Sequence, residues 1–256
     1  MAQRTPPELA ARFQEALALE WDPVALHYTY ERPQGALGIK GTGQGCIIPL
    51  VRRVAERGGA AAFSEGTFGC LGAGYFLGFK DPHPFAWIDH FLSQGVEGVM
   101  EGEGFKRDAA IARRFIDEAG APPAPRPFCV FKRLRDCGDE SEARVVVFFV
   151  RPDQLVALIT LANYARPDRY NVVAPQTSGC GGIAAEPLRQ AAASDPKAVI
   201  GLLDVTVRHA VPANVLSFAV PWALLLELDE ALEGSFLDKA PWQALRKRLR
   251  GAEAGG

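Results

Sequence analysis

Helix and strand signals alternate unevenly along this chain, and that unevenness predicts an α+β fold, a mixed sheet flanked by helices. Three observations carry the expectation. Residues 143–150 are an almost continuous apolar run, suited to a strand buried on both faces. Residues 152–164 follow at once, with proline in the first helical position and Leu155, Leu158, Ile159 and Ala162 at helical spacing. Residues 199–209 and 215–220 then read as two strands in succession. That succession breaks the regular alternation of an α/β chain and leaves mixed α/β as the alternative class.

The remaining elements follow in order. Leu9, Phe13, Ala16 and Leu17 give residues 6–19 a helical apolar stripe, which Trp21-Asp22-Pro23 stops. Residues 24–30 alternate as a strand, with Val24, Leu26, Tyr28 and Tyr30 on one face and Ala25, His27 and Thr29 on the other. A glycine-rich connection leads to a helix over 46–57, which Gly58-Gly59 ends. Short helices are expected over 70–79 and 87–93, a loop over 95–104 and a helix over 106–118. Ala121-Pro122-Pro123-Ala124-Pro125-Arg126-Pro127 is stiff and extended, the strongest linker signal in the chain. It divides the sequence into halves 1–127 and 128–251, unless 6–250 is a single domain. Strands are expected over 128–134 and 170–174. Helices are expected over 180–193, where Gly181, Gly182 and Pro187 weaken the pattern, and over 221–232. The tail 252–256 reads as disordered.

The chain has 256 residues, 48% hydrophobic and 23% charged, with a formal net charge of -2. That balance excludes the electrostatic signature of a nucleic-acid or anionic-membrane partner. No apolar run approaches the roughly 20 residues that span a bilayer, and no secretory signal opens the chain, so the expected compartment is the cytoplasm. Five cysteines, an odd number in a chain long enough to fold without staples, point to free or metal-bound thiols.

Three of those cysteines follow a glycine. Thr67-Phe68-Gly69-Cys70-Leu71-Gly72 and Thr177-Ser178-Gly179-Cys180-Gly181-Gly182 share Thr-x-Gly-Cys-x-Gly, a hint of distant internal duplication, and Thr42-Gly43-Gln44-Gly45-Cys46 is a looser version. Each opens a stretch with helical character, where thiolate is favoured. Three thiols can hold an iron–sulfur cluster with one iron open, or three corners of a zinc site. The plain alternative is three small buried residues after tight turns. Cys129 lies in a strand pattern and Cys137 in a polar turn that reads as exposed. The glycines at 41–45 do not form a nucleotide loop, and no metalloprotease, zinc-finger or serine-hydrolase spacing occurs. Asp204 and Arg208 sit four apart in an expected strand, hence on one face. They suit an ion pair, an exposed edge, or an anion-binding arginine with its orienting carboxylate.

The ordered set of features resembles a family. Asp22-Pro23-Val24-Ala25-Leu26, Cys46, Cys70-Leu71-Gly72-Ala73 with Leu77-Gly78, Val150-Arg151-Pro152, Cys180, Asp204-Val205-Thr206-Val207-Arg208 and Phe218-Ala219-Val220-Pro221 are similar to elements of the family called domain of unknown function 169. The resemblance covers roughly residues 20–235 and supplies no assigned activity. It implies that Cys46, Cys70 and Cys180, rather than Cys129 or Cys137, fall on the family's cysteine positions.

The leading expectation is therefore an iron–sulfur cluster, of the four-iron type, on Cys46, Cys70 and Cys180, with zinc less favoured. Arg208, oriented by Asp204, would hold an anionic ligand nearby, in a redox or accessory enzyme role. Two other classes stand beside it: a metal-free small-molecule or anion-binding module, and a thiol-dependent enzyme with His27 as base.

Overall fold

The computed structural model describes residues 4–253. Helix α1 (Pro6–Leu17) starts where the Glu8 carboxylate accepts the Thr5 N–H at 2.8 Å. Strand β1 (Val24–Thr29) follows, then α2 (Ile48–Arg57), β2 (Ala60–Ser64), α3 (Leu71–Phe76) and α4 (Ile88–Phe91). A small hairpin of β3 (Gly95–Val96) and β4 (Met100–Glu101) stands where a loop was expected, and α5 (Ala109–Ala119) follows it. Next come β5 (Phe128–Arg133), β6 (Val145–Val150), α6 (Pro152–Tyr164) and β7 (Val172–Val173). Residues Gly181–Ala185 form a π-helical turn that runs into α7 (Glu186–Gln190). The chain closes with β8 (Ala198–Gly201), a 3-10 turn over Val205–Ala210, β9 (Leu216–Pro221), α8 (Trp222–Glu230) and α9 (Ala240–Glu253).

Seven strands make one mixed sheet in the order β2-β5-β1-β6-β9-β8-β7. All neighbours are antiparallel except β7 and β8. The fold is α+β, as the sequence predicts. Strands from before and after Pro127 share this sheet. They interleave: β5 pairs with both β2 and β1, and β1 pairs in turn with β6 through Val24–Val147, Ala25–Val146 and Leu26–Val145. The proline run packs on the protein instead of spanning open solvent: the Ala124 N–H donates to the Gly78 carbonyl at 2.9 Å.

The sheet separates two cores. On one face Leu9, Phe13 and Leu17 of α1 pack with Phe148, Phe218 and the apolar sides of α6, α8 and α9. Phe13 and Phe148 meet edge to face, with ring centroids 5.4 Å apart. Burying each such side chain contributes roughly 2–3 kcal/mol. On the other face Val24, Leu26 and Tyr28 lie under α2, α3 and the π-helical turn. The alternation of β1 decides which residue faces which core.

Two expectations change. The strand predicted over 199–209 stops at Gly201, because Leu202 takes a left-handed φ of 62°. Asp204 then caps the 3-10 turn, its Oδ1 accepting the Thr206 N–H at 2.9 Å and the Thr206 hydroxyl at 2.7 Å. Cys137 is buried, not exposed, and its thiol lies 3.6 Å from the carbonyls of Arg133 and Glu142. The expected disorder of 252–256 falls mainly on residues 254–256, which lie outside the described residues; α9 runs to Glu253. Among the described residues no helix is long and apolar enough to cross a membrane.

Candidate functional site

The two N-terminal Gly-Cys units are built as one piece of backbone. Gly45 and Gly69 have φ of +72° and +83°, values that L side chains rarely adopt. The Cys70 N–H donates to the Gly45 carbonyl at 2.8 Å, and the Gln44 N–H donates to the Gly69 carbonyl at 3.1 Å. A Cβ on Gly69 would stand 2.9 Å from that same Gly45 oxygen. Gly69 is thus required by the close approach of the two turns and Gly45 by its left-handed backbone, and the approach sets Cys46 beside Cys70. Cys70 caps α3, its Sγ accepting the Ala73 N–H at 3.4 Å.

The third unit arrives from the other side of β1 and β6. Gly182 lies directly on β8, where a Cβ would stand 2.9 Å from the Gly201 Cα. Gly181 packs against the Phe76 ring of α3. The Ser178 hydroxyl lies 3.2 Å from Cys180 Sγ and accepts the Gly181 N–H at 3.0 Å. These contacts fix the π-helical turn so that Cys180, 7% exposed, joins the wall that Cys46 and Cys70 already line.

That wall encloses a cavity of about 500 Å³. Its other side is a roof formed by the chain between α3 and β5, which contributes Phe85, Phe91, Phe105 and Phe115. Phe76 and aliphatic side chains such as Ile48, Ile116 and Val207 add to the apolar lining, while Glu103, Lys106 and Asp204 contribute charge. The size and the mainly apolar surface suit a small organic ligand.

Electrostatics link the cavity thiols to one another. Desolvation raises the Cys180 thiol first, and the neighbouring Cys70 and Cys46 raise it further. Cys46 is exposed as a residue, yet its thiol is also raised, by desolvation and then by Cys70 and Asp204. The three groups therefore sense one another across the cavity. Cys129, fully buried in β5, and Cys137, pushed up to about 12 by desolvation, lie elsewhere and do not line the cavity.

The other sequence-selected residues do not gather with the thiols. His27 is buried on the opposite face of β1 from Val24, Leu26 and Tyr28, and its Nδ1 has no hydrogen-bond partner. Arg208 donates to the carbonyls of Leu202, Val215, Pro212 and Ala213, at 2.7 to 3.3 Å. It braces the 202–215 loop and is not paired with Asp204, which lines the cavity alone. His27 thus lies on the far face of β1 from the thiols, and desolvation raises rather than lowers the Cys46 and Cys180 thiols.

His83 was not selected from sequence. It lines the cavity while 8% exposed, and desolvation lowers its pKa to about 4. Its Nδ1 accepts the Phe85 N–H at 3.1 Å, so the neutral ring carries its proton on Nε2. Pro82 and Pro84 were the only local signal. They exclude a helix there but say nothing of burial.

Geometry thus defines an α+β protein with a thiol-walled, aromatic-roofed cavity on one face of a seven-stranded sheet. The model of the family domain of unknown function 169, described as uncharacterised ArCR, matches residues 12–231, and the chain belongs to that family. No curated protein and no solved structure matches it.

Proposed function

We propose that Cys46, Cys70 and Cys180 hold an iron–sulfur cluster of the four-iron type, with one iron left open toward the cavity. One observation carries this reading: the three cysteines that follow a glycine line a single cavity, and the two that do not lie elsewhere. The donor set fits. Three thiolates in a desolvated wall would repel one another, and a cationic metal centre offsets that repulsion while favouring deprotonation. Among the described residues no three His, Cys, Asp or Glu side chains are grouped to hold a metal ion. A cluster is wider than one ion and takes its ligands from positions further apart. When bound, it supplies a Lewis-acidic or electron-transferring iron. The five free cysteines suit a reducing compartment such as the cytoplasm.

Anaerobic purification followed by iron and sulfide analysis tests the reading. Cys46→Ala, Cys70→Ala and Cys180→Ala should each abolish bound iron, and Cys129→Ala should not. Colourless protein without iron, or the reverse pattern among the variants, sinks it. The aromatic lining of the cavity favours a second reading, a metal-free small-molecule binding module. That module would bind organic ligand with no iron present.

A further inference from the structure

The roof side of the cavity holds unclaimed charge. Glu103 follows the β3–β4 hairpin, where its N–H donates to the Phe91 carbonyl at 2.7 Å. Its carboxylate faces the cavity with no hydrogen-bond or ion-pair partner among the described residues. Asp204 faces the same cavity from the opposite wall and uses only Oδ1 for the Thr206 cap, leaving Oδ2 unpaired. Glu103 is raised by desolvation and then by Asp204.

None of the cations nearby is ion-paired with either carboxylate among the described residues. Lys106 Nζ donates to Gln176 Oε1 at 2.5 Å and lies 4.2 Å from the centroid of the Phe115 ring. Arg208 is held by four carbonyls, and His83 is neutral at ordinary pH. The buried Thr177 Oγ1 in the lining also lacks a partner. Buried polar groups are normally satisfied, so it points to a ligand that is polar at some of its atoms.

We infer that the cavity takes an organic cation, with an aromatic body among Phe76, Phe85, Phe91, Phe105 and Phe115 and an ammonium end held between Glu103 and Asp204. Aromatic faces and carboxylates both attract such a cation, and the rings accept its apolar body. The expected ligand has the opposite charge from the anion that Arg208 suggested in the sequence. The inference does not depend on what the thiols hold.

Fluorescence titration at pH 7.5 with three naphthyl probes of similar size tests it: the cation of 2-(1-naphthyl)ethylamine, the neutral 2-(1-naphthyl)ethanol and the anion 1-naphthaleneacetate. The protein is used as purified, with its iron content measured in parallel. The amine should bind about tenfold more tightly than the acetate, the scale of one hydrogen bond between charged groups. Glu103 is exposed, so Glu103→Gln should leave the fold intact. It should weaken the amine about tenfold while leaving the alcohol unchanged. Phe115→Ala should weaken all three probes together. Equal or tighter binding of the acetate overturns the inference, as does an amine-to-alcohol ratio that Glu103→Gln leaves unmoved. Iron content reads out the cluster proposal separately, so either idea can fail alone.

Discussion

The two faces of the sheet are built differently. On the face of α1, α6, α8 and α9, four helices of nine to 14 residues lay continuous apolar stripes against the strands. On the cavity face, α2 and α5 are joined by helices of four to six residues, a π-helical turn, a 3-10 turn and left-handed glycines. Regular helices aim their side chains at the sheet and close the interior. Irregular backbone aims Cys46, Cys70 and Cys180 sideways into a shared space. One face holds the fold together, and the other gives up regularity to leave a cavity.

That contrast can be broken most forcefully at Phe13, fully buried against Phe148. Phe13→Ala should cost about 3–5 kcal/mol in urea unfolding. Molecules that remain folded should bind the naphthyl amine normally. Weakened binding in the folded fraction would show that the faces are not independent.

Gly69→Ala is the counterpart on the cavity face. The strained φ and the clash with the Gly45 carbonyl should cost about 1–3 kcal/mol. Unlike Phe13→Ala, it should also separate Cys46 from Cys70 and lower bound iron. Gly66→Ala, in open space, should do neither.

A smaller effect follows pH. The folded pKa of His83, about 4, lies below the ordinary 6.5. Between those values the unfolded chain binds the extra proton, so stability is full above about pH 6.5 and falls as pH drops toward 4. His27, also lowered by desolvation, acts with the same sign. Urea midpoints at pH 7 and pH 5 should therefore differ less in His83→Gln than in the native protein. An unchanged difference would assign the dependence to His27 or to the carboxylates. The smallest expected change is at the exposed Lys80–Glu65 pair, where Lys80→Ala should shift stability by about 0.5 kcal/mol or less.

Periodicity made much of the regular structure legible. Helix α6 and strand β1 follow patterns that local sequence alone enforces. Strand β2, Ala60–Ser64, gave no signal, because three alanines have little preference for strand and it forms by pairing with β5. Residues 205–210 misled in the opposite sense. Their β-branched residues suggest a strand, but the left-handed Leu202 and the Asp204 cap turn the chain first. In the candidate site, the Gly-Cys units were visible one by one, yet the repeat paired Cys70 with Cys180. The backbone instead bonds Cys70 to the Cys46 turn. That bond joins residues 25 positions apart in sequence. No local pattern encodes such contacts, nor the aromatic roof.

The junction of β1 with β6 is three residue pairs long, whereas β1–β5 and β6–β9 each run for six. Cys46 and Cys70 stand on one side of that seam in the chain and Cys180 on the other. A group gripped by all three would act as a clasp across it, so filling the cavity should tighten the whole sheet and raise its melting temperature.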